Sequence, residues 1–322
     1  MTDKYVPIIE KGPNKSVILC HGDLDGINGL QVCYKWISQY MGADHEIEWL
    51  NCNYENVNPR CSYYWENSKD YRYIMLVDIS CDEEHAKSAP QNVFIFDHHD
   101  TSKFMIGLSD RFFWKGEYCG AMVAWKYLFN KKPDPYFGKL LKICNDYDMW
   151  QGPGGRPPQI SHDLNCLMRH YGFSKFFQRF YDGFDGFTKE EKKFVKRYWD
   201  SQKEIWKETI KEKIGDNVVF VIIENDGLDT NFYCDKLLRD KGYDVVFVFR
   251  QDRNRLSVRA SDRAAEWWHA GEWLRDNVHN SNNSKGGHAQ AAGCSTEGMD
   301  DDAVLDLAIK VQEIFEDRKA VV

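Results

Sequence analysis

The sequence predicts an α/β protein built from two globular units. An N-terminal, mostly parallel sheet flanked by helices is followed by a helical linker and a smaller C-terminal α/β unit. Three observations predict this. Short apolar runs in the first half stop abruptly at polar clusters and alternate with helix candidates, the pattern of parallel strands joined by crossover helices. A charge-dense helical stretch follows. Beyond it, from Asn217, the buried-strand pattern starts again. The expected boundaries are therefore 1–173, 174–216 and 217–322.

Taken in order, Val17 to Cys20 in "SVILCHGDLDG" is the first strand candidate, and Ile27 to Met41 follows with helical spacing. "RYIMLVDIS" supplies a second strand at Ile74 to Val77, and "NVFIFDHH" a third at Val93 to Phe96. Helix candidates lie at Asp82 to Ser88, Ala121 to Phe129 and Tyr136 to Cys144. "GPGGRPP" is a loop by composition. Phe173 to Lys213 reads as solvated helix; its acidic and basic residues interleave, which argues against a basic nucleic-acid arm. In the second unit "VVFVII" and "DVVFVF" are buried strands flanking a helix candidate, Phe232 to Asp240. "RLSVRAS" alternates strictly, with Arg255, Ser257 and Arg259 on one face. "HNSNNSK" reads as a polar loop, "GGHAQAAG" as a tight, glycine-led entry to a helix, and Asp301 to Lys319 as a terminal helix.

The chain of 322 residues is 43% hydrophobic and 15% aromatic, enough for substantial cores in two domains. Its formal net charge of −8 argues against a protein that grips long duplex nucleic acid. It leaves room for a small anionic substrate, because metal ions or a few arginines neutralise a pocket locally. None of the ten cysteines forms a C-x-x-C pair, so they read as reduced packing residues rather than a zinc site. With no signal segment and no apolar run of membrane-spanning length, the expected location is cytoplasmic, with no membrane partner.

The chemistry gathers where the first unit's strands end. His21, Asp23 and Asp25 follow the first strand, Asp78 the second, and Asp97, His98 and His99 the third. Asp146 and Asp148 follow a helix in "NDYD". Each piece alone has a plainer reading: an Asx turn for H-x-D-x-D-G, a helix N-cap for Asp78. Together they put many carboxylates and imidazoles at one sheet edge, where unpaired charges would repel. Such a donor set suits borderline or hard divalent cations, and the surplus of carboxylates suits two ions sharing a bridging ligand.

"HGDLDG", "LVDIS" and "FDHHD", in that order, resemble the first three motifs of the DHH phosphoesterase superfamily, and "NDYDMW" resembles its fourth. "KGGHAQAAG" and the preceding "LSVRAS" resemble the glycine-histidine region of the DHH-associated C-terminal domain. The resemblance covers most of the chain. It implies His21, Asp23 and Asp78 on one metal, and Asp25, Asp78, His98 and Asp146 on the other, with Asp78 bridging. His99 would face the substrate phosphate and Asp97 would orient the imidazoles. The fourth motif departs from the family's Asp-Thr form. Asp146 is the register in which Trp150 takes the place of the family's aromatic, and Asp148 is the alternative. In the second unit, Gly286, Gly287, His288 and Arg259 would hold the substrate phosphate, with Arg259 and His288 counted with His99 and Asp97 as catalytic residues.

The expectation is therefore a metal-dependent phosphohydrolase with two Mn²⁺ ions, Mg²⁺ or Co²⁺ being alternatives, and an active site in the cleft between the units. The substrate would be a short oligonucleotide or a small nucleotide, since the chain has little room for an added nucleic-acid-binding domain. Cyclic-dinucleotide phosphodiesterase is the runner-up, followed by single-strand exonuclease and pyrophosphatase or polyphosphatase. The non-enzyme alternative is an inactive scaffold of the same fold. Trp267 and Trp268 are adjacent, so at least one is expected to pack rather than stack on a base.

Overall fold

A computed structural model of the chain describes residues 6–7, 9, 11–129, 132–151, 156–223, 227–278, 285–287 and 289–321. The chain divides into two compact units, Met1–Val195 and Lys196–Val322.

The first unit runs β1 (Lys15–His21), α1 (Leu24–Met41), β2 (Glu46–Cys52), α2 (Val57–Glu66), β3 (Ile74–Val77), α3 (Glu83–Lys87), β4 (Val93–Asp97), β5 (Phe112–Trp114), α4 (Gly120–Leu128), α5 (Pro135–Asp148) and α6 (Gln159–Arg179), the last broken at Gly172. Its five strands lie in the order β2-β1-β3-β4-β5 and every pairing is parallel. The apolar runs are continuous because both faces of the sheet are covered. Ile18, Cys20, Met75, Val77, Phe94 and Phe96 join the core on one face; Val17, Leu19, Ile74, Leu76, Val93 and Ile95 join that on the other. The strand order reverses at β1: β2 lies to one side of it and β3 to the other. In a doubly wound sheet such a reversal opens a crevice at the carboxyl ends of the two central strands. Here those ends are His21 and Val77, immediately before Asp78.

α7 (Lys189–Glu208) contains the division between the units. The second unit then runs β6 (Ile210–Lys213), β7 (Val218–Ile223), α8 (Thr230–Asp235), β8 (Val245–Arg250), β9 (Arg255–Ala260), α9 (Asp262–Ala265), α10 (Ala270–Asn277), β10 (Lys285–Gly287), β11 (Ala291–Ser295) and α11 (Asp301–Val321). Its sheet has the order β10-β11-β9-β8-β7-β6 and is mixed, with β7 and β8 parallel and the other pairs antiparallel.

Two expectations change. The stretch 174–216 is not a helical linker throughout. Its last part, β6, pairs with β7 and so belongs to the second sheet, a tertiary pairing that overrides the helical look of Lys- and Glu-rich sequence. "GGHAQAAG" is not a helix entry either: Gly286 and Gly287 lie on β10, paired with Gly293 and Ala292 of β11. His288, residues 152–155 of the first predicted loop and 279–284 of the second lie outside the described residues. All ten cysteines are free and buried. Trp268 is buried in the second core, and Trp267 packs on Phe315, ring centroids 4.7 Å apart. Among the described residues no helix is long and apolar enough to cross a membrane.

Candidate metal centre

β1 delivers His21 to the sheet edge, and the chain turns at once into α1. Asp23 is the N-cap of that helix and accepts from the Gly26 N–H at 3.0 Å. Gly26 must lack a side chain, because a Cβ there would lie 2.1 Å from the His21 carbonyl oxygen. The turn reading of H-x-D-x-D-G thus holds, and the same turn aims its carboxylates. Asp25, in the first turn of α1 and 1% exposed, reaches the N-terminus of α4. Its oxygens accept from the Gly120 N–H at 2.5 Å and the Ala121 N–H at 2.9 Å. Two orphan donors at a positive helix end are a favourable seat for a buried carboxylate.

Asp78 follows β3 with φ 58°, a left-handed conformation uncommon outside glycine. It does not cap α3; Asp82 does, accepting from the His85 N–H. Gly120 presses on it from α4: a Cβ at Gly120 would lie 2.8 Å from the Asp78 Cα. Asp78 is 1% exposed and neither carboxylate oxygen has a hydrogen-bond partner.

β4 brings up the histidine pair. Asp97 is fully buried and accepts from Ser102 Oγ at 2.5 Å, from the His98 N–H at 2.7 Å and from His99 Nδ1 at 2.7 Å. A carboxylate only accepts, so Nδ1 of His99 carries the proton and Nε2 keeps its lone pair. His98 Nε2 lies 3.3 Å from Asp78 Oδ1, 3.2 Å from Asp148 Oδ2 and 3.8 Å from Asp25 Oδ2. His21 Nδ1 lies 2.9 Å from Asp23 Oδ2 and 3.5 Å from Asp78 Oδ2.

Among the described residues the geometry gives four overlapping donor sets, each with ligand atoms within 4.8 Å of one another: His21, Asp23 and Asp78; Asp78, Asp97, His98 and His99; Asp25, His98 and Asp148; and Asp25, Cys119 and Cys144. Asp78 is common to the first two. Asp146, the residue expected from the fourth motif, is not brought to them; its Oδ2 accepts from Lys142 Nζ at 2.6 Å. The alternative, Asp148, reaches His98 instead. Two residues on one helix that differ by two positions point to opposite sides, so α5 can present only one of them. The aromatic at Trp150 pointed to the other register.

The charges are frustrated without a cation. Burial, then the charges of Asp25, Asp23 and Asp148, push the Asp78 carboxyl well above the usual carboxylate range. Burial, then Asp25 and Asp23, do the same to Asp148. The Asp23 charge beside it lifts His21 to about 9. Burial opposes the charge on Asp97, yet the imidazoles of His99 and His98 hold its carboxyl below the ordinary value. A buried carboxylate with two unsatisfied oxygens, ringed by imidazole and carboxylate donors, fits divalent cations of the Mn²⁺ or Mg²⁺ type.

Sequence reasoning missed several supports. Gly120 is one. Asn145 is another: its Oδ1 accepts from the Cys119 N–H at 3.0 Å, fixing the start of α4. Tyr54, between β2 and α2, sets its ring 5.9 Å from that of His21 and 6.1 Å from that of His99. Nothing in the local sequence of any of the three marks them, since each acts through a contact distant in the chain. In the second unit, Arg259 on β9 donates to Asn231 Oδ1 at 2.7 Å and to the Val258 carbonyl at 3.0 Å. Gly286 and Gly287 lie two strands away in the same sheet.

Residues 215–317 match the family model of the DHHA1 domain. No curated protein matches the chain. Solved structures share its fold at low identity. The DHH domain of a member of a ribosomal-protein family is 13% identical with a TM-score of 0.66, over 93% of this chain and 86% of that one. An exonuclease RecJ bound to manganese is 15% identical with a TM-score of 0.53, over 91% and 88%. RecJ from Thermus thermophilus, in complex with Mn²⁺, is 15% identical with a TM-score of 0.57; the match covers 93% of this chain but 52% of that protein, about half its length.

Proposed function

We propose that the chain, whose residues 215–317 match the DHHA1 domain and whose fold is shared with DHH-domain proteins, is a member of the DHH superfamily and a divalent-metal-dependent phosphoesterase that hydrolyses phosphodiester bonds of short oligonucleotides or small nucleotides. The observation that carries this reading is Asp78, whose two buried oxygens lack hydrogen-bond partners and stand between two donor sets. His21, Asp23 and Asp78 would hold one ion; Asp25, Asp78, His98 and Asp148 the other. When bound, two such ions, Mn²⁺ in this reading, would supply Lewis acidity for activating water and for offsetting charge on the phosphoryl oxygens.

The protein's own groups divide the remaining work. Asp97 fixes the His99 tautomer, and His99 then offers Nε2 toward the phosphate oxygens; when protonated there, it donates to them. α4 aims Asp25 through two backbone donors. In the second unit Arg259, Gly286, Gly287 and His288 would bind phosphate, Arg259 as a bidentate fork and the glycines through close backbone approach.

The test is Asp78→Asn. Asn keeps the shape and tolerates the left-handed backbone that Asp78 occupies, so the fold is preserved while the bridging charge is lost. Mn²⁺-dependent hydrolysis of a diadenosine dinucleotide is expected to fall by about a hundredfold or more, since even indirect supports of a metal site cost up to that much. Full activity in that variant overturns the proposal.

A further inference from the structure

The β2–α2 connection reaches the metal centre, and the roles assigned so far leave it unused. It is a braced loop. Asn53 Oδ1 accepts from the N–H groups of Glu55 and Asn56 at 3.1 and 3.0 Å, and Asn56 Oδ1 accepts from the Asn53 N–H at 2.9 Å. Asn51, next to last in β2, stands against the first motif: a Cβ at Gly22 would lie 2.8 Å from Asn51 Oδ1. Reciprocal side-chain bonds thus fix the shape of the loop.

Tyr54 stands on this brace. Its ring centroid is 5.9 Å from that of His21 and 6.1 Å from that of His99, and the two imidazoles are 6.5 Å apart. The three rings form a nearly equilateral triangle with two of the centre's own groups at its corners. Yet Tyr54 is 49% exposed, and among the described residues its hydroxyl makes no hydrogen bond. A large aromatic packed for stability would bury more of its area and satisfy its hydroxyl. This one is rigidly displayed at the edge of a charge cluster.

Building on the phosphoesterase reading, we propose that Tyr54 is a substrate-positioning residue whose ring seats a nucleobase beside the phosphate that His99 faces, so that the site prefers base-bearing phosphate esters over pyrophosphate or polyphosphate. Every base has a π-face, so a single tyrosine platform selects nucleotides as a class without reading their sequence. The edge-on packing against His99, at 90°, keeps the ring from turning away.

The experiment measures binding, separately from turnover. A phosphorothioate-linked diadenosine dinucleotide and its abasic counterpart are titrated calorimetrically into Mn²⁺-loaded full-length protein, wild type, Tyr54→Phe and Tyr54→Ala. The wild type is expected to bind the dinucleotide about tenfold more tightly than the abasic compound. Tyr54→Phe should keep that ratio and Tyr54→Ala should bring it to about one, with Mn²⁺ affinity unchanged in both. A wild-type ratio of one, no binding of either compound, an unchanged ratio in Tyr54→Ala, or a collapse in Tyr54→Phe equal to that in Tyr54→Ala each overturns the inference. Absence of phosphodiester hydrolysis by the wild type would instead count against the phosphoesterase reading, and the binding ratio would still decide the role of Tyr54.

Discussion

Asparagine at position 148 and asparagine at position 146 should have opposite consequences, although the two residues share a helix and a short motif. Asp148 is one of a set with Asp25 and His98 whose ligand atoms lie within 4.8 Å of one another. Two full charges at that separation repel by about 3 kcal/mol at an effective dielectric constant of about 20. Protonation relieves part of this, so Asp148→Asn should stabilise the metal-free first unit by about 1–2 kcal/mol. For a unit of this size that is a rise in melting temperature of roughly 2–8 °C. The same substitution removes a proposed ligand, so the stabilisation by Mn²⁺, about 2.7 kcal/mol at a hundredfold excess over Kd for the wild type, should largely vanish. Asp146→Asn loses an ion pair to Lys142, whose side chain is 72% exposed. Such a pair contributes about 0.5 kcal/mol or less, and the Mn²⁺ response should persist. Differential scanning fluorimetry with and without Mn²⁺ reads both effects with no assumption about substrate. An Asp146→Asn protein that ignores Mn²⁺, beside an Asp148→Asn protein that responds as the wild type does, would refute the assignment of Asp148.

Gly120→Ala forces a methyl group to 2.8 Å from the Asp78 Cα, a backbone contact that cannot rotate away; it should cost about 1–3 kcal/mol of stability and weaken Mn²⁺ binding, and an unaltered melting temperature would contradict the close approach of α4. Ser102→Ala removes the 2.5 Å hydrogen bond to Asp97 and should destabilise the unit by about 1.5–3 kcal/mol in urea unfolding, whereas Ser102→Cys should restore little of it. The pH dependence has a defined sign. His21, raised to about 9 by Asp23, contributes stability that is complete below its unfolded value of about 6.5 and lost as pH climbs through about 9. Asp78 and Asp148, raised carboxyls, act in the same direction from about pH 4 upward. The metal-free first unit should therefore melt at lower temperature at about pH 9 than at about pH 6.5, less steeply in His21→Asn. The Mn²⁺-induced stabilisation should grow over the same interval, because the ligands bind metal deprotonated. A metal-free melting temperature that rises with pH would overturn this account.

The parallel sheet was legible because burial on both faces leaves uninterrupted apolar runs, and the polar residue after each run is the sheet edge itself. His21, Asp78 and Asp97 to His99 could be placed on that logic alone. β2 and β5 were not. β2 is an edge strand whose residues are mostly half-buried or exposed, so "EIEWLNC" carries charge, and β5 has three residues. β6, β10 and β11 escaped for a related reason: glycine, alanine and lysine have little strand preference, and only pairing with a neighbour makes them strands. The choice between Asp146 and Asp148 turned on helix phase, which a motif match by nearest aromatic cannot supply. Gly120, Asn145 and Tyr54 show no local signal because each contact spans more than twenty residues of chain.

Asp78 shows why these pieces belong together. Its backbone is held left-handed, its carboxylate is stripped of hydrogen bonds, and its pKa is driven up by burial and like charges. Any one of these costs stability, and none is relieved within the protein. Gly120, lacking a side chain, lets α4 close to Asp78 while that helix's first N–H groups satisfy Asp25, not Asp78. The fold therefore directs its available donors to the neighbours and leaves the central carboxylate bare. A surface merely tolerating polar residues would have done the reverse, hydrating the aspartate or giving it an amide. Concentrated strain beside satisfied neighbours is the arrangement expected where two cations share one ligand, and it ties the stability of the first unit to the occupant of the centre.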